Sequence, residues 1–357
     1  MMMRLLILLT ASLAYLAAAD GIPWNWAELQ PAPKTFDAPH NDEPGVKALW
    51  YAGVPYRGKP TRVFAYYAAP KRSGNEKLPA MVLIHGGGGT AFAEWVRMWN
   101  ARGYAAIAMD TTGAVPQKAT NEKTLWNPER KRTEYSGPAG WGDFTNVDLP
   151  PEDQWTYHAV AAAIKAHSLI RSFPEVDPKR IGVTGISWGG YLTSIVAGVD
   201  PRFRFAAPVY GCGFLGEDSA WLKDFATLGP ARAQRWLSLW DPSQYLGRAR
   251  MPMLWVNGTN DFAYPPPSWR KSHRLPKGPR TLAYRVRMPH GHPPGAKPEE
   301  IFYFADHILR KGPAPAQVQA HGFDTGKTWL RFRAKQPIVK AELAYTRDRG
   351  KWQDRKW

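Results

Sequence analysis

Apolar residues in this chain fall into short runs separated by turn-forming residues. Four runs are nearly unbroken: Pro79-Ala80-Met81-Val82-Leu83-Ile84, Tyr104-Ala105-Ala106-Ile107-Ala108-Met109, Phe205-Ala206-Ala207-Pro208-Val209-Tyr210 and Pro252-Met253-Leu254-Trp255-Val256. That texture predicts strands buried on both faces. Residues 180–184 form a shorter run of the same kind. Residues 46–51 and 62–67 read as two strands joined by a turn at 56–60, and residues 281–288 alternate as a half-exposed strand does. Between them, residues 94–102, 157–170 and 301–308 predict helices. Residues 218–249 predict one or two more, with Trp221, Leu222, Trp236 and Leu237 on apolar faces. Strands alternating with helices make this an α/β chain.

The remaining segments lack such periodicity. Residues 20–44 are proline-rich and are expected to wrap the main domain. Residues 111–150 form a long insertion rich in Gly, Pro and Trp. Long irregular loops inside compact domains are usually functional, so this one is expected to act as a cap over a site and to set substrate choice. After the linker-like Gly312-Pro313-Ala314-Pro315-Ala316, residues 329–334 and 338–345 alternate as two strands. Residues 313–357 are therefore expected to be a short β appendage, too small to close a sandwich, and 20–312 the main domain.

Chemistry enters at Gly185-Ile186-Ser187-Trp188-Gly189-Gly190, which follows the run at 180–184. This is a G-x-S-x-G pattern between a strand and a helix, where a tight turn presents one serine. The following amide, of Trp188, would then open a helix and could donate to a developing oxyanion. The run at 79–84 leads directly into His85-Gly86-Gly87-Gly88-Gly89-Thr90. Glycines there leave backbone N–H groups free to enter a site, and the amides of Gly86, Gly87 and Gly88 are the candidates for a second donor. Asp261 follows the strand at 252–258, and Pro289-His290-Gly291-His292-Pro293 follows the strand at 281–288. A serine hydroxyl needs an imidazole to take its proton, and the imidazole needs a carboxylate to orient it. His290 is preferred as the base because it lies closer to the strand end; His292 is the alternative. The pair His290 and His292 has no third ligand in support, so no metal is expected, and no cofactor motif is present. Asp110, which ends the run at 104–109, is expected to be structural.

These residues resemble the α/β-hydrolase superfamily, in particular its acetyl xylan esterase, dienelactone hydrolase and prolyl oligopeptidase-like branch. The matching pieces are His85 to Gly89, Gly185 to Gly190, Asp261 and the His290/His292 loop, in the chain order Ser, Asp, His. The resemblance implies an α/β-hydrolase fold with a mostly parallel, eight-stranded sheet flanked by helices, and serine hydrolysis through an acyl-enzyme. It does not fix the substrate. Trp188 stands where glucuronoyl esterases carry arginine, and Ser187 where dienelactone hydrolases proper carry cysteine. Too few residues precede the oxyanion strand for the β-propeller of prolyl oligopeptidase-type peptidases.

Composition narrows the setting. Residues 1–19 read as a secretory signal: Arg4 in a short positive start, an apolar core from Leu5 to Leu16, and Ala17-Ala18-Ala19 before Asp20. The apolar run is short for a membrane span, and a periplasmic or secreted location is expected. Cys212 is the only cysteine, so no internal disulfide can form and a small buried hydrophobe is the natural role for it. The net charge of +17 permits contact with polyanions, but the basic residues are scattered and no nucleic-acid motif is present. Of the 17 tryptophans, Trp126, Trp141 and Trp188 fall beside the predicted site and are candidates for stacking on sugar or aryl groups. The function expected is an exported serine esterase acting on an acylated carbohydrate. A peptidase for short peptides and a glycan-binding protein on an inactive scaffold are the alternatives. Oligomeric state is not legible.

Overall fold

The computed structural model describes residues 21–71, 74–118, 121–140 and 144–357. The expected signal sequence at 1–19 and Trp141 lie outside the described residues.

Thirteen strands are present among the described residues: β1 (Thr35–Asp37), β2 (Lys47–Ala52), β3 (Arg62–Ala68), β4 (Leu78–Ile84), β5 (Ala105–Met109), β6 (Ala114–Pro116), β7 (Arg130–Arg132), β8 (Val176–Ile186), β9 (Phe205–Val209), β10 (Met253–Gly258), β11 (Arg280–Arg285), β12 (Gln317–Asp324) and β13 (Lys327–Arg333). The helices are α1 (Trp26–Leu29), α2 (Ala93–Ala101), α3 (Glu122–Leu125), α4 (Trp155–Ser172), α5 (Trp188–Val199), α6 (Leu222–Leu228), α7 (Pro230–Trp240), α8 (Ser243–Leu246), α9 (Pro266–Ser272), α10 (His292–Ala296) and α11 (Glu299–Arg310).

One sheet carries the domain, in the order β1-β2-β3-β5-β4-β8-β9-β10-β11. The six strands from β5 to β11 run parallel, and β1, β2 and β3 join antiparallel at one edge. This is the α/β-hydrolase architecture. The sheet has nine strands where eight were expected. The extra one is β1, in the proline-rich lead segment, which pairs Thr35–Asp37 with Leu49–Tyr51. Strands β4, β5, β9 and β10 are buried almost end to end, which explains their unbroken apolar runs. Helices α2 and α11 pack together through Trp99 and Phe302, 4.7 Å between ring centroids. Leu222, expected on an apolar face, is 41% exposed, whereas Trp236 is buried against Phe144 and Phe225.

The insertion at 111–150 has structure of its own. Its β6 and β7 form a small antiparallel hairpin. Beyond Gly312 the chain also departs from expectation. Residues 338–345 form no strand; β13 pairs instead with β12, which precedes it. The cause is the two-residue turn Thr325-Gly326, with φ of 46° and 79°. Two successive positive φ values make the tight turn whose twist matches a hairpin, and the adjoining segment pairs with β13.

Candidate active site

The serine sits where the parallel strands end. Ser187 lies between β8 and α5 with φ 58° and ψ −118°, a conformation that costs a non-glycine residue energy and that persists because neighbours fix it. Its N–H donates to the Val209 carbonyl at 2.9 Å, and its carbonyl accepts from Tyr191 at 2.9 Å. Gly189 is required by space: a Cβ there would run into the Ile84 and His85 carbonyls.

Two further loops meet it. The loop after β10 brings Asp261, and the loop after β11 brings His290. His290 Nε2 lies 2.8 Å from Ser187 Oγ, and His290 Nδ1 lies 2.6 Å from Asp261 Oδ2. The Asp261 carboxylate is fully buried. Its other oxygen accepts from the amides of Ala263 at 2.9 Å and Tyr264 at 2.7 Å. A buried carboxylate satisfied in this way stays put and can hold one imidazole tautomer, Nδ1–H, with Nε2 turned to the serine. Tyr210 stacks on the His290 ring at 4.4 Å and donates through its hydroxyl to the Pro289 carbonyl at 2.6 Å. Phe262, 54% exposed, covers the outer side of the same ring at 5.0 Å.

His292, two residues on, faces a different loop. Its Nε2 accepts the Gly86 N–H at 3.0 Å. Burial, with help from His85 and His290 nearby, pushes its pKa down to about 3, so it stays neutral and can accept. His85 holds the same glycine from the other side: Nδ1 lies 2.8 Å from the Gly86 carbonyl, while Nε2 accepts the Thr111 N–H at 2.9 Å. The His85 pKa is also lowered, chiefly by burial. Gly86 is thereby clamped at both its polar groups and committed, which removes its amide from the candidate oxyanion donors. The Gly89 N–H closes a turn onto the Gly86 carbonyl at 3.0 Å, with Gly88 at φ 70°. The Gly87 N–H makes no hydrogen bond among the described residues. The loop passes against Ser187, since a Cβ on Gly86 would sit 2.9 Å from Ser187 Cβ.

The tryptophans divide. Trp188 is only 2% exposed and packs among Trp155, Tyr191 and Trp221 at 5.7, 4.9 and 4.6 Å. Its indole therefore cannot offer a face to a substrate, contrary to expectation; its backbone amide opens α5, at the positive end of the helix dipole. Trp126 is half-buried on Phe92, which in turn contacts His292 at 4.8 Å. Arg130, also from the insertion, donates to the Gly89 carbonyl at 2.9 Å. The insertion thus reaches the glycine loop. Asp110 binds the Thr112 and Ala114 amides at 2.7 and 2.8 Å, a structural use. Cys212 is buried, and burial pushes its thiol pKa up.

His85, Tyr210 and Tyr264 were not anticipated. His85 carries a signal in hindsight, because a histidine heading a glycine run has two loop carbonyls and amides within reach. Tyr210 and Tyr264 carry none, since an aromatic directly after a strand or in the loop beyond one reads as core. Among the described residues, no group of three metal-ligating side chains is found, and no helix is long and apolar enough to cross a membrane.

An elbow serine beside an imidazole and a buried carboxylate, at the ends of parallel strands, is the arrangement found in the α/β-hydrolase class. A family model described as acetyl xylan esterase (AXE1) matches residues 35–217, just over half of the chain, and one for the prolyl oligopeptidase family matches residues 152–310. The chain belongs to the acetyl xylan esterase family. Among curated proteins, it is 28% identical over 213 residues to the uncharacterized peptidase YuxL of Bacillus subtilis and 27% identical over 142 residues to the acetyl esterase Axe7A of Xylanibacter ruminicola. These matches take in 54% and 39% of this chain but only 27% and 30% of those relatives. Among solved structures, an acetyl xylan esterase from Paenibacillus sp. R4 superposes with a TM-score of 0.61 at 23% identity, covering 79% of this chain and 92% of the other. The acylaminoacyl peptidase of Pyrococcus horikoshii gives 0.52 at 17% identity, covering 78% and 43%. At such identities these two likenesses speak to the fold alone.

Proposed function

We propose that this chain is an exported esterase that removes acyl groups, acetyl above all, from carbohydrates. Ser187 Oγ attacks the ester carbonyl while His290 Nε2 takes its proton. The tetrahedral oxyanion is held by the amides of Trp188 and Gly87. His290 then returns the proton to the leaving alcohol, and water, deprotonated by the same imidazole, cleaves the acyl-enzyme. Asp261 keeps His290 in its tautomer and stabilises the imidazolium. The observation that carries this reading is the continuous chain of contacts from Ser187 Oγ to His290 to Asp261, at 2.8 and 2.6 Å. Family membership favours an acetyl ester, and the pattern of residues 1–19 favours export. Trp126, at the rim beside Phe92, is the aromatic best placed to stack on a sugar ring.

The prolyl oligopeptidase match over residues 152–310 favours a second reading, cleavage of short peptides. The same Ser187, His290 and Asp261 would serve it. Purified protein assayed side by side on p-nitrophenyl acetate, acetylated xylan and aminoacyl-arylamides separates the two. Release of acetate that disappears in Ser187→Ala supports the esterase; turnover of the arylamides alone supports the peptidase.

A further inference from the structure

The segment after the C-terminal hairpin returns to the active site. Residues 346–357 close on themselves: the Lys356 N–H donates to Asp348 Oδ2 at 2.8 Å, Arg355 Nη2 donates to the Gly350 carbonyl at 2.8 Å, and the Arg355 guanidinium lies 3.5 Å from the Trp352 ring centre. This compact turn points three carbonyls at one side chain. Asn260 Nδ2 donates to the carbonyls of Trp352 at 2.9 Å, Gln353 at 3.0 Å and Arg355 at 2.8 Å. An amide has two N–H bonds, so three acceptors share them. Asn260 is the residue before Asp261.

The network continues to the histidine loop. Asn260 Oδ1 accepts from Thr259 Oγ1 at 2.8 Å, and Thr259 Oγ1 accepts the Arg287 N–H at 3.0 Å. Arg287 Nη1 donates to the Arg355 carbonyl at 3.0 Å. Arg287 sits three residues before His290, at the strained φ of 48°. Loops from two neighbouring strands, one bearing the carboxylate and the other the imidazole, are thus tied to each other and to one distant segment of chain. Ordinary surface packing gives no reason for three carbonyls to converge on the residue beside Asp261.

We infer that residues 352–355 act as a strap that sets the Asp261–His290 geometry, with Asn260 as a positioning residue. The inference rests on the catalytic roles proposed above, though not on the substrate. Its test therefore uses probes that need no ester: the rate at which a fluorophosphonate labels Ser187, and the low-field proton resonance of the short Nδ1–H bond between His290 and Asp261. Labelling forms the phosphorus–oxygen bond at Ser187 Oγ, expels fluoride and passes the serine proton to His290.

A displacement of about 1 Å in a reacting group can cost about 100-fold in rate, so partial loosening in Asn260→Ala is expected to slow labelling about 10-fold. The low-field resonance should broaden or vanish. With p-nitrophenyl acetate, kcat should fall in parallel while KM changes less than about two-fold, since the strap does not touch substrate. A chain ending at Thr346 should show the same losses, and a synthetic peptide of residues 347–357 added in trans should restore labelling. A labelling rate and resonance unchanged in Asn260→Ala, whatever the melting temperature does, would overturn the inference. So would a shortened chain that labels at the full rate. Failure of every ester with labelling intact would count against the proposed substrate and leave the strap standing.

Discussion

The two walls around Ser187 use histidine in opposite ways. On the Asp261 side, His290 is oriented by a carboxylate and turned toward the serine. On the glycine-loop side, burial favours the neutral form of His85 and His292, and each gives one ring nitrogen to the same glycine, Gly86. In the proposed reaction the first wall holds a group that changes protonation during each turnover. In the same proposal the second holds backbone dipoles that stay fixed. Imidazole suits both tasks because a neighbouring carboxylate favours its charged form and burial favours its neutral form.

Substitutions can break this contrast. Ser187→Ala and His290→Ala should each lower kcat by about 10⁴-fold or more on any accepted ester, with little further loss when combined, because the two act as a unit. Equal loss from His292→Ala would mean that the walls have been assigned the wrong way round. Removing one oxyanion donor costs about 10²- to 10³-fold in kcat. His292→Ala loosens that loop without deleting a donor, so a fall of about 10- to 100-fold is expected from the same consideration. Steady-state assays on p-nitrophenyl acetate would measure all three. Trp188→Ala tests whether the indole is core: a buried tryptophan lost to alanine costs about 3–5 kcal/mol, so urea unfolding should show the damage even where esterase activity per folded molecule is retained.

The smallest effect concerns pH. His292 is held down to about 3 and His158 and His273 to about 4, in each case mainly by burial. Unfolded, each titrates near the ordinary value of about 6.5. Below that pH the unfolded chain therefore binds more protons than the folded one, and stability should decline as pH falls from about 6.5 toward 4. Urea midpoints at pH 7 and pH 5 would show this, and His292→Asn should narrow the gap. A midpoint that rises toward pH 5 would refute it.

Most of the fold was legible in the chain because β4, β5, β9 and β10 are covered on both faces and need apolar residues at every position. The serine turn was legible too, since only glycine fits at Gly189. What was not legible depends on tertiary neighbours. Nothing local says that Thr35–Asp37 will add to the sheet, or that the Thr325-Gly326 turn gives β13 an earlier partner than residues 338–345. His290 and His292 differ by two residues in one loop, and only the path of that loop past Ser187 and Gly86 separates them. Trp188 follows Ser187, a position that reads as poised for substrate, yet the start of α5 turns its ring inward. The strap was invisible because Asn260 and residues 352–355 are more than 90 positions apart.

Among the described residues the sheet ends at β11, which carries exposed Leu282 and Tyr284 between Arg280 and Arg285. An unpaired strand edge invites another copy to add to it, and charged side chains are the usual guard. Here the guard is thin: Arg285 is paired with Glu300 at 2.6 Å, which leaves Arg280 to repel a second identical edge, and only while solvent leaves it unscreened. Screening shortens from about 30 Å in 0.01 M salt to about 3 Å in 1 M. Handling this protein is therefore a question of ionic strength as much as of temperature: dilute buffer should keep it dispersed, and concentrated salt should bring copies together edge to edge.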